Sequence, residues 1–219
     1  MLRQVNPAAM TVPVTGGVLV GEVESPDAPS AVVVLAQDGG GVRHSPQERV
    51  TAAALRGAGL ATLLLDLVTG PEETDPGAAE LGHRLTIAVD LLERAEEAGA
   101  PVPDGLPVGL FGIGSGAAPA LLAAAERPGR VAAVVCRAGC PDEAGDALDR
   151  IRVPVLLLAG GRDHAALNCD EAAADRLRAP FTVHVVPGAD RAFTTPGPLA
   201  EATSAALDWF GAMATRAPG

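Results

Sequence analysis

Six short, unbroken apolar runs constrain this chain more than any other feature. They are AVVVLA (31–36), LATLLLD (60–66), PVGLFG (107–112), VAAVVC (131–136), VPVLLLAG (153–160) and FTVHVV (181–186). A strand with one wet face alternates apolar and polar residues, so runs without alternation read as strands covered on both faces, as in a parallel sheet. Helical segments separate them, over about 46–58, 78–98, 116–127, 142–150, 168–178 and 198–215. The last carries Pro198 in its first turn, where a missing N–H costs nothing. Such alternation predicts right-handed crossovers and helices on both faces of a mostly parallel sheet. Upstream, TVPVTGGVLVGEV (11–23) alternates around Thr15-Gly16-Gly17 and predicts an antiparallel hairpin. No linker, repeat or low-complexity tract interrupts the pattern, and 219 residues suit one α/β domain over 1–219.

Composition narrows the function classes. Apolar residues make up 48% of the chain, yet there are only four Phe and one Trp, so the core is aliphatic and the helices are faced with alanine. A net charge of −11 argues against nucleic acid, because phosphate contacts need clustered Lys and Arg. Cys136, Cys140 and Cys169 are too few, and odd in number, for a disulfide framework. Cys136 and Cys140 stand close in sequence, but no His or Cys cluster completes a zinc site, so the three read as a small buried hydrophobe and ordinary thiols. Neither a signal-peptide run nor a membrane-length apolar stretch is present, and a cytoplasmic location without membrane contact is expected.

The hairpin, the parallel strands and a glycine-rich bend after a middle strand resemble the α/β-hydrolase fold, and most closely its dienelactone-hydrolase-like subgroup. The likeness covers most of the chain. RHSPQERVTAAALRGAGLATLLLDLVT (43–69) is similar to the subgroup's loop, helix and strand after the oxyanion region. GLFGIGSGAAPALLAAAERPGRVAAVV (109–135) is similar to its nucleophile elbow and following helix. VPVLLLAGGRD (153–163) resembles the strand bearing the acid, and VVPGADRAF (185–193) the loop bearing the histidine.

At three places the residues depart from what that resemblance implies. Relatives carry serine, or cysteine in dienelactone hydrolases proper, at the position of Gly114, with a small or hydroxyl residue at Ser115. After the strand AVVVLA a His-Gly pair is expected, but Gln37-Asp38 stands there, followed by Gly39-Gly40-Gly41. Arg191 stands where the general base belongs, and a guanidinium takes no proton near neutral pH. Of the triad positions only the acid, Asp163, remains. Acyl transfer by a triad needs all three members acting as a unit, so ordinary serine hydrolysis is not expected.

The remaining candidates each carry two readings. Asp38 is either an acid or base of raised pKa beside the elbow or a solvated loop residue in an Asx-turn. Arg191 either binds an anionic substrate or pairs with Asp163, the pair being the default. His44 is a pocket-side acid or base, or else it joins Arg43 in tying the loop to the elbow, with Ser45 capping the helix at Pro46. Ser115 is better placed as a helix cap than as a displaced nucleophile. Asp66 orders a neighbouring loop or is a spare acid. His164 is expected on an exposed loop, and His83 and His184 as packing residues. Gln37, Gly39, Gly114 and Ser115 outline the elbow and oxyanion region.

Two functions follow. The first is small-molecule binding, or a non-hydrolytic acid/base reaction such as cyclisation, elimination or rearrangement, with Asp38, His44, Asp163 and Arg191 as candidate residues. The second is an atypical esterase or lactone hydrolase with Ser115 as nucleophile. No cofactor and no metal are called for. The expected partner is a small-molecule ligand, anionic if Arg191 is free, and a homodimer is compatible with the sequence.

Overall fold

The computed structural model describes residues 7–38, 41–68 and 76–214. Its eight strands are β1 (Ala8–Val14), β2 (Gly17–Glu24), β3 (Val32–Gln37), β4 (Ala61–Asp66), β5 (Val108–Ile113), β6 (Val131–Arg137), β7 (Val155–Gly160) and β8 (Phe181–Val186). They form one sheet in the order β1-β2-β4-β3-β5-β6-β7-β8. The hairpin β1–β2 is antiparallel, β2 runs antiparallel to β4, and every later pairing is parallel. The hairpin turns on Gly16 at φ +86°, a conformation that glycine adopts without steric cost.

The unbroken apolar runs have a direct structural meaning. Along β3, Val32, Val34 and Ala36 face one core while Val33 and Leu35 face the other. The first core is covered by α2 (Gly77–Leu91) and α3 (Ala117–Glu126), and the second by α1 (Pro46–Gly57) and α5 (Pro196–Ala214). Ala117, Ala118, Ala120, Ala123 and Ala124 let α3 lie close to the sheet. Phe111 and Phe210 meet across the second core, with ring centroids 6.3 Å apart.

Several boundaries differ from the sequence reading. The segment expected over 168–178 is α4 (His164–Ala174), which begins earlier because Asp163 caps it: its Oδ1 accepts from Ala166 N at 3.2 Å. The segment expected over 142–150 is a 3₁₀ stretch, Pro141–Arg150, broken at Gly145 (φ +54°). That expected over 78–98 ends as a helix at Leu91 and continues only as a 3₁₀ turn, Leu92–Arg94. β8 is an edge strand rather than one buried on both faces, and Phe181, Val183 and Val185 are partly exposed. Among the described residues, no helix is long and apolar enough to cross a membrane.

The elbow between β5 and α3 is held by backbone contacts that only glycine permits. A Cβ on Gly116 would lie 2.1 Å from the Ala36 carbonyl oxygen, and one on Gly112 would lie 2.4 Å from the Gly116 carbonyl oxygen. Gly114, at the tip, has φ +56° but meets nothing within 4 Å. The two kinds of glycine separate by substitution. Gly116→Ala is expected to cost about 3 kcal/mol or more, because backbone must move. Gly114→Ala is expected to cost only the roughly 1–2 kcal/mol of a left-handed residue. Urea unfolding midpoints of the two variants check this ordering.

Candidate ligand site at the strand-to-helix turn

Gly114 is where β5 ends and a single 3₁₀ turn, Gly114–Gly116, leads into α3. It forms part of the wall of a cavity of about 360 Å³ at the carboxyl edge of the sheet. Ligands of open α/β sheets bind at that edge. Gln37, Glu48, Arg137 and Arg191 contribute polar groups to the wall.

Each arrives from a different element. Gln37 ends β3 and Arg137 ends β6. Glu48 lies in the first turn of α1, where Ser45 accepts from its backbone N–H at 3.4 Å with Pro46 at the first helical position, as the sequence predicts. Arg191 lies on the loop after β8. Gly160 lets that loop approach, since a Cβ there would sit 2.7 Å from the carbonyl oxygens of Ala189 and Asp190. Asp190 then orders the turn, accepting from Thr194 N at 3.1 Å and from Thr194 Oγ1 at 2.5 Å. These Thr194 hydrogen bonds hold the Asp190 carboxyl below its ordinary range.

The dominant charges of the wall are Glu48 and Arg137, neither of which was singled out from sequence. Both are buried, at 4% and 2% exposure, and Arg137 Nη2 donates to Glu48 Oε1 at 2.5 Å. The guanidinium carbon also lies 5.5 Å from the Phe111 ring centroid and 5.3 Å from that of Phe193. Cation–π contact and an ion pair together offset part of the cost of burying the charge. Arg137 Nε and Nη1, and Glu48 Oε2, have no protein partner. A charged residue directly after a buried strand, at the edge where ligands bind, is the signal that points to Arg137. Glu48 gives less away, because Ser45-x-x-Glu48 reads as an ordinary helix start.

The sequence-derived candidates fare unevenly. Gly114, Gln37 and Arg191 meet at the cavity. Arg191 forms no ion pair with Asp163, contrary to the default expectation, and is exposed. Asp163 instead spends Oδ1 on capping α4, and its Oδ2 is buried without a partner. Ser115 is exposed within the 3₁₀ turn and caps neither it nor α3, because α3 begins one turn later at Ala117. Asp38 is half-buried and His44 exposed, and neither lines the cavity. Gly39 lies outside the described residues. Asp66 orders the neighbouring loop, accepting from Val42 N at 2.7 Å and Arg43 Nε at 2.9 Å. Arg43 therefore ties its loop to β4, and His44 takes no part in this. His164 is exposed as expected, His83 is exposed rather than packed, and His184 bonds Glu201 at 3.0 Å.

The cysteines also pair differently from their sequence spacing. Cys140 and Cys169 form a disulfide, and Cys136 is a buried free thiol. Burial, and secondarily the charge of Asp170, push the Cys136 thiol well above its usual pKa. This argues against a reactive thiolate at Cys136. A separate apolar groove of about 310 Å³ beside Trp209, Pro154 and Pro180 lies at the opposite, amino edge of the strands. Asp208 is the charged residue among its described lining.

A mixed sheet with an N-terminal hairpin, and a positive-φ turn residue opening onto a cavity at its carboxyl edge, define an α/β-hydrolase-fold protein. Within that class the chain belongs to the dienelactone hydrolase family, whose pattern it matches over residues 17–215. It is similar to the crystal structure of a dienelactone hydrolase from Anabaena variabilis, with 35% identity and a TM-score of 0.86, over 96% of this chain and 99% of that one. It shares its fold with Est1E from Butyrivibrio proteoclasticus at 15% identity and a TM-score of 0.78, over 95% of this chain and 99% of that one. It is also 40% identical, over 208 residues and 95% of its length, to a Mycobacterium tuberculosis protein named "Putative phosphoribosyl transferase". The chain spans about half the length of the curated relatives it matches, 46% of that protein.

One titration near the site has a measurable consequence. Burial, then the charges of Asp142 and Asp163, push the Asp170 carboxyl up to about 7. Between pH 4 and 7 the unfolded chain ionises this group while the folded chain resists, so its cost to stability grows over that window and levels off above it. Asp170→Asn is therefore expected to stabilise the oxidised protein at pH 8, by up to about 4 kcal/mol. The gain should shrink towards zero as pH falls to 4. Chemical denaturation of both proteins across that range checks the slope.

Proposed function

We propose that this family member binds a small anionic molecule, bearing carboxylate or phosphate, above Gly114, and that it does so without the covalent acyl chemistry of a triad. The observation that carries this is the elbow itself: its tip is a glycine on which even a Cβ would meet nothing within 4 Å, and Arg137 and Arg191 line the same cavity. Covalent hydrolysis needs a nucleophile and a base within hydrogen-bond reach. Gly114 and Arg191 supply neither, and Ser115 points no hydrogen-bonding atom to any partner.

What remains suits an anion. Arg191 has no ion pair among the described residues, and Arg137 has two guanidinium nitrogens, Nε and Nη1, without partners among them. Backbone N–H groups at the start of the turn and of α3 add partial positive charge. Glu48, beside Arg137, then fixes orientation by accepting from a ligand hydroxyl and repelling a second anionic group. It also offers the one buried carboxylate on the cavity wall for moving a proton in a non-hydrolytic reaction. The volume of about 360 Å³ fits a molecule of sugar or small-acid size. The relatives' name makes a phosphorylated pentose the first ligand to try.

Activated esters such as p-nitrophenyl acetate are expected to be hydrolysed no faster than in buffer. Saturable hydrolysis abolished by Ser115→Ala would overturn the reading. Calorimetric titration with ribose 5-phosphate and with short hydroxy acids is expected to show saturable binding. Arg191→Ala should weaken it about tenfold, as loss of one charge-assisted contact of 1.5 kcal/mol or so does. A folded Arg191→Ala that binds as tightly as the parent would exclude Arg191 from the site.

A further inference from the structure

A second cluster of chemically able side chains lies outside the cavity wall, on the segment after β6 and on α4. One potential ligand atom each from Cys140, Asp142 and Cys169 come within 4.8 Å of one another. The two cysteines are 29 residues apart in sequence, on the loop after β6 and on α4, with Cα atoms 4.9 Å apart. Two more carboxylates stand behind them. Asp170 is 3% exposed with Oδ2 unpartnered, and Asp163 is 8% exposed with Oδ2 unpartnered. Asp142 also has a buried Oδ1 without a partner.

No cation offsets this charge from within the described chain. None of the three aspartates forms an ion pair among the described residues, and Arg176, just beyond α4, is committed to Asp146 and Asp149. Buried carboxylates in proteins are paired or coordinate metal. A disulfide does nothing for them, since it carries no charge. Two thiolates and a carboxylate, by contrast, are three donors of a tetrahedral zinc-type site, with the fourth position open to water.

We propose that the reduced Cys140–Cys169 pair, together with Asp142, binds a thiophilic divalent cation of the zinc class, and that disulfide formation closes this site. Asp163 and Asp170 stand outside the ligand set. Opening the site requires a two-electron reductant. With a water-soluble phosphine, the S–S bond breaks, each sulfur gains a proton, and the phosphorus takes the oxygen of one water to become phosphine oxide. Binding then forms two metal–sulfur bonds and releases the two thiol protons. Cys136 takes no part, since its Sγ faces the Ala117 carbonyl oxygen at 3.6 Å inside the core. None of these residues lines the anion cavity, so this inference stands or falls separately from the proposed function.

The test uses Co²⁺ as an optical probe on the full chain, reduced by phosphine and desalted without oxygen. The reduced protein is expected to develop sulfur-to-cobalt charge-transfer absorption and tetrahedral d–d bands, saturating at one equivalent, and the oxidised protein neither. Cys140→Ser and Cys169→Ser should each lose most of the charge-transfer intensity, and Asp142→Asn should bind tenfold or more weakly, whereas Cys136→Ser should match the parent. Zn²⁺ should displace Co²⁺ and, in the unmutated protein, protect Cys140 and Cys169 from alkylation as read by mass spectrometry. Absence of the bands in the reduced protein, their persistence without either cysteine, or equal alkylation with and without Zn²⁺ would overturn the proposal.

Discussion

Backbone packed directly on backbone at the elbow is the constraint from which the rest of the structure follows. Gly116 rests against the Ala36 carbonyl, Gly112 against the Gly116 carbonyl, and a Cβ on Gly139 would lie 2.1 Å from the Gly114 oxygen. These contacts draw the carboxyl ends of β3, β5 and β6 around one point. Side chains cannot fill so close an approach, so the glycines are fixed by sterics rather than by propensity. With those ends fixed, Gln37, Gly114 and Arg137 necessarily share one cavity. The tip itself is unobstructed, with Gly114 adopting a positive φ that favours glycine, and this leaves space for a ligand.

Around that point the buried charges fall into two groups. On the cavity side, Arg137 is sandwiched between Phe111 and Phe193 and paired with Glu48, with Arg191 at the rim. In the other group are Asp142, Asp163 and Asp170, with no ion-pair partner among the described residues. Burying charge costs several kcal/mol per ion even after relaxation. A fold that retains both groups, so close to the elbow, concentrates its unmet electrostatic demands where ligands can satisfy them. Asp163 joins the two regions: it follows β7, caps α4, and thereby sets the position of Cys169.

Membership of the dienelactone hydrolase family fixes the scaffold more firmly than the chemistry, because a fold hosts whatever site its loops build. Here Gln37 at the end of β3, Arg137 at the end of β6 and Arg191 on the loop after β8 line the cavity. The M. tuberculosis relatives, about twice as long as the matched region, carry this same unit within a larger protein. The edge strand β8 leaves Phe181, Val183 and Val185 partly exposed, and an apolar groove lies beside Trp209 at the amino edge.

The sheet, its parallel order and the hairpin were legible because they depend on local patterning: unbroken apolar runs for strands covered twice, alternation for the hairpin. The elbow was legible for a similar reason, since the spacing of Gly112, Gly114 and Gly116 reports a sharp turn. Local signals misled where an interaction reached across the sequence. Ser115 looked like a cap but lies within a 3₁₀ turn, and Asp163 looked free to meet Arg191 but turns back on its own helix. Glu48 and Arg137 meet across 89 residues, and Cys140 and Cys169 across 29. Thus the sequence by itself determined the layers and the turn, through periodicity and glycine sterics. Only the tertiary structure decided which charges are buried together, because pairing depends on where distant strand ends converge, and no local pattern encodes that convergence.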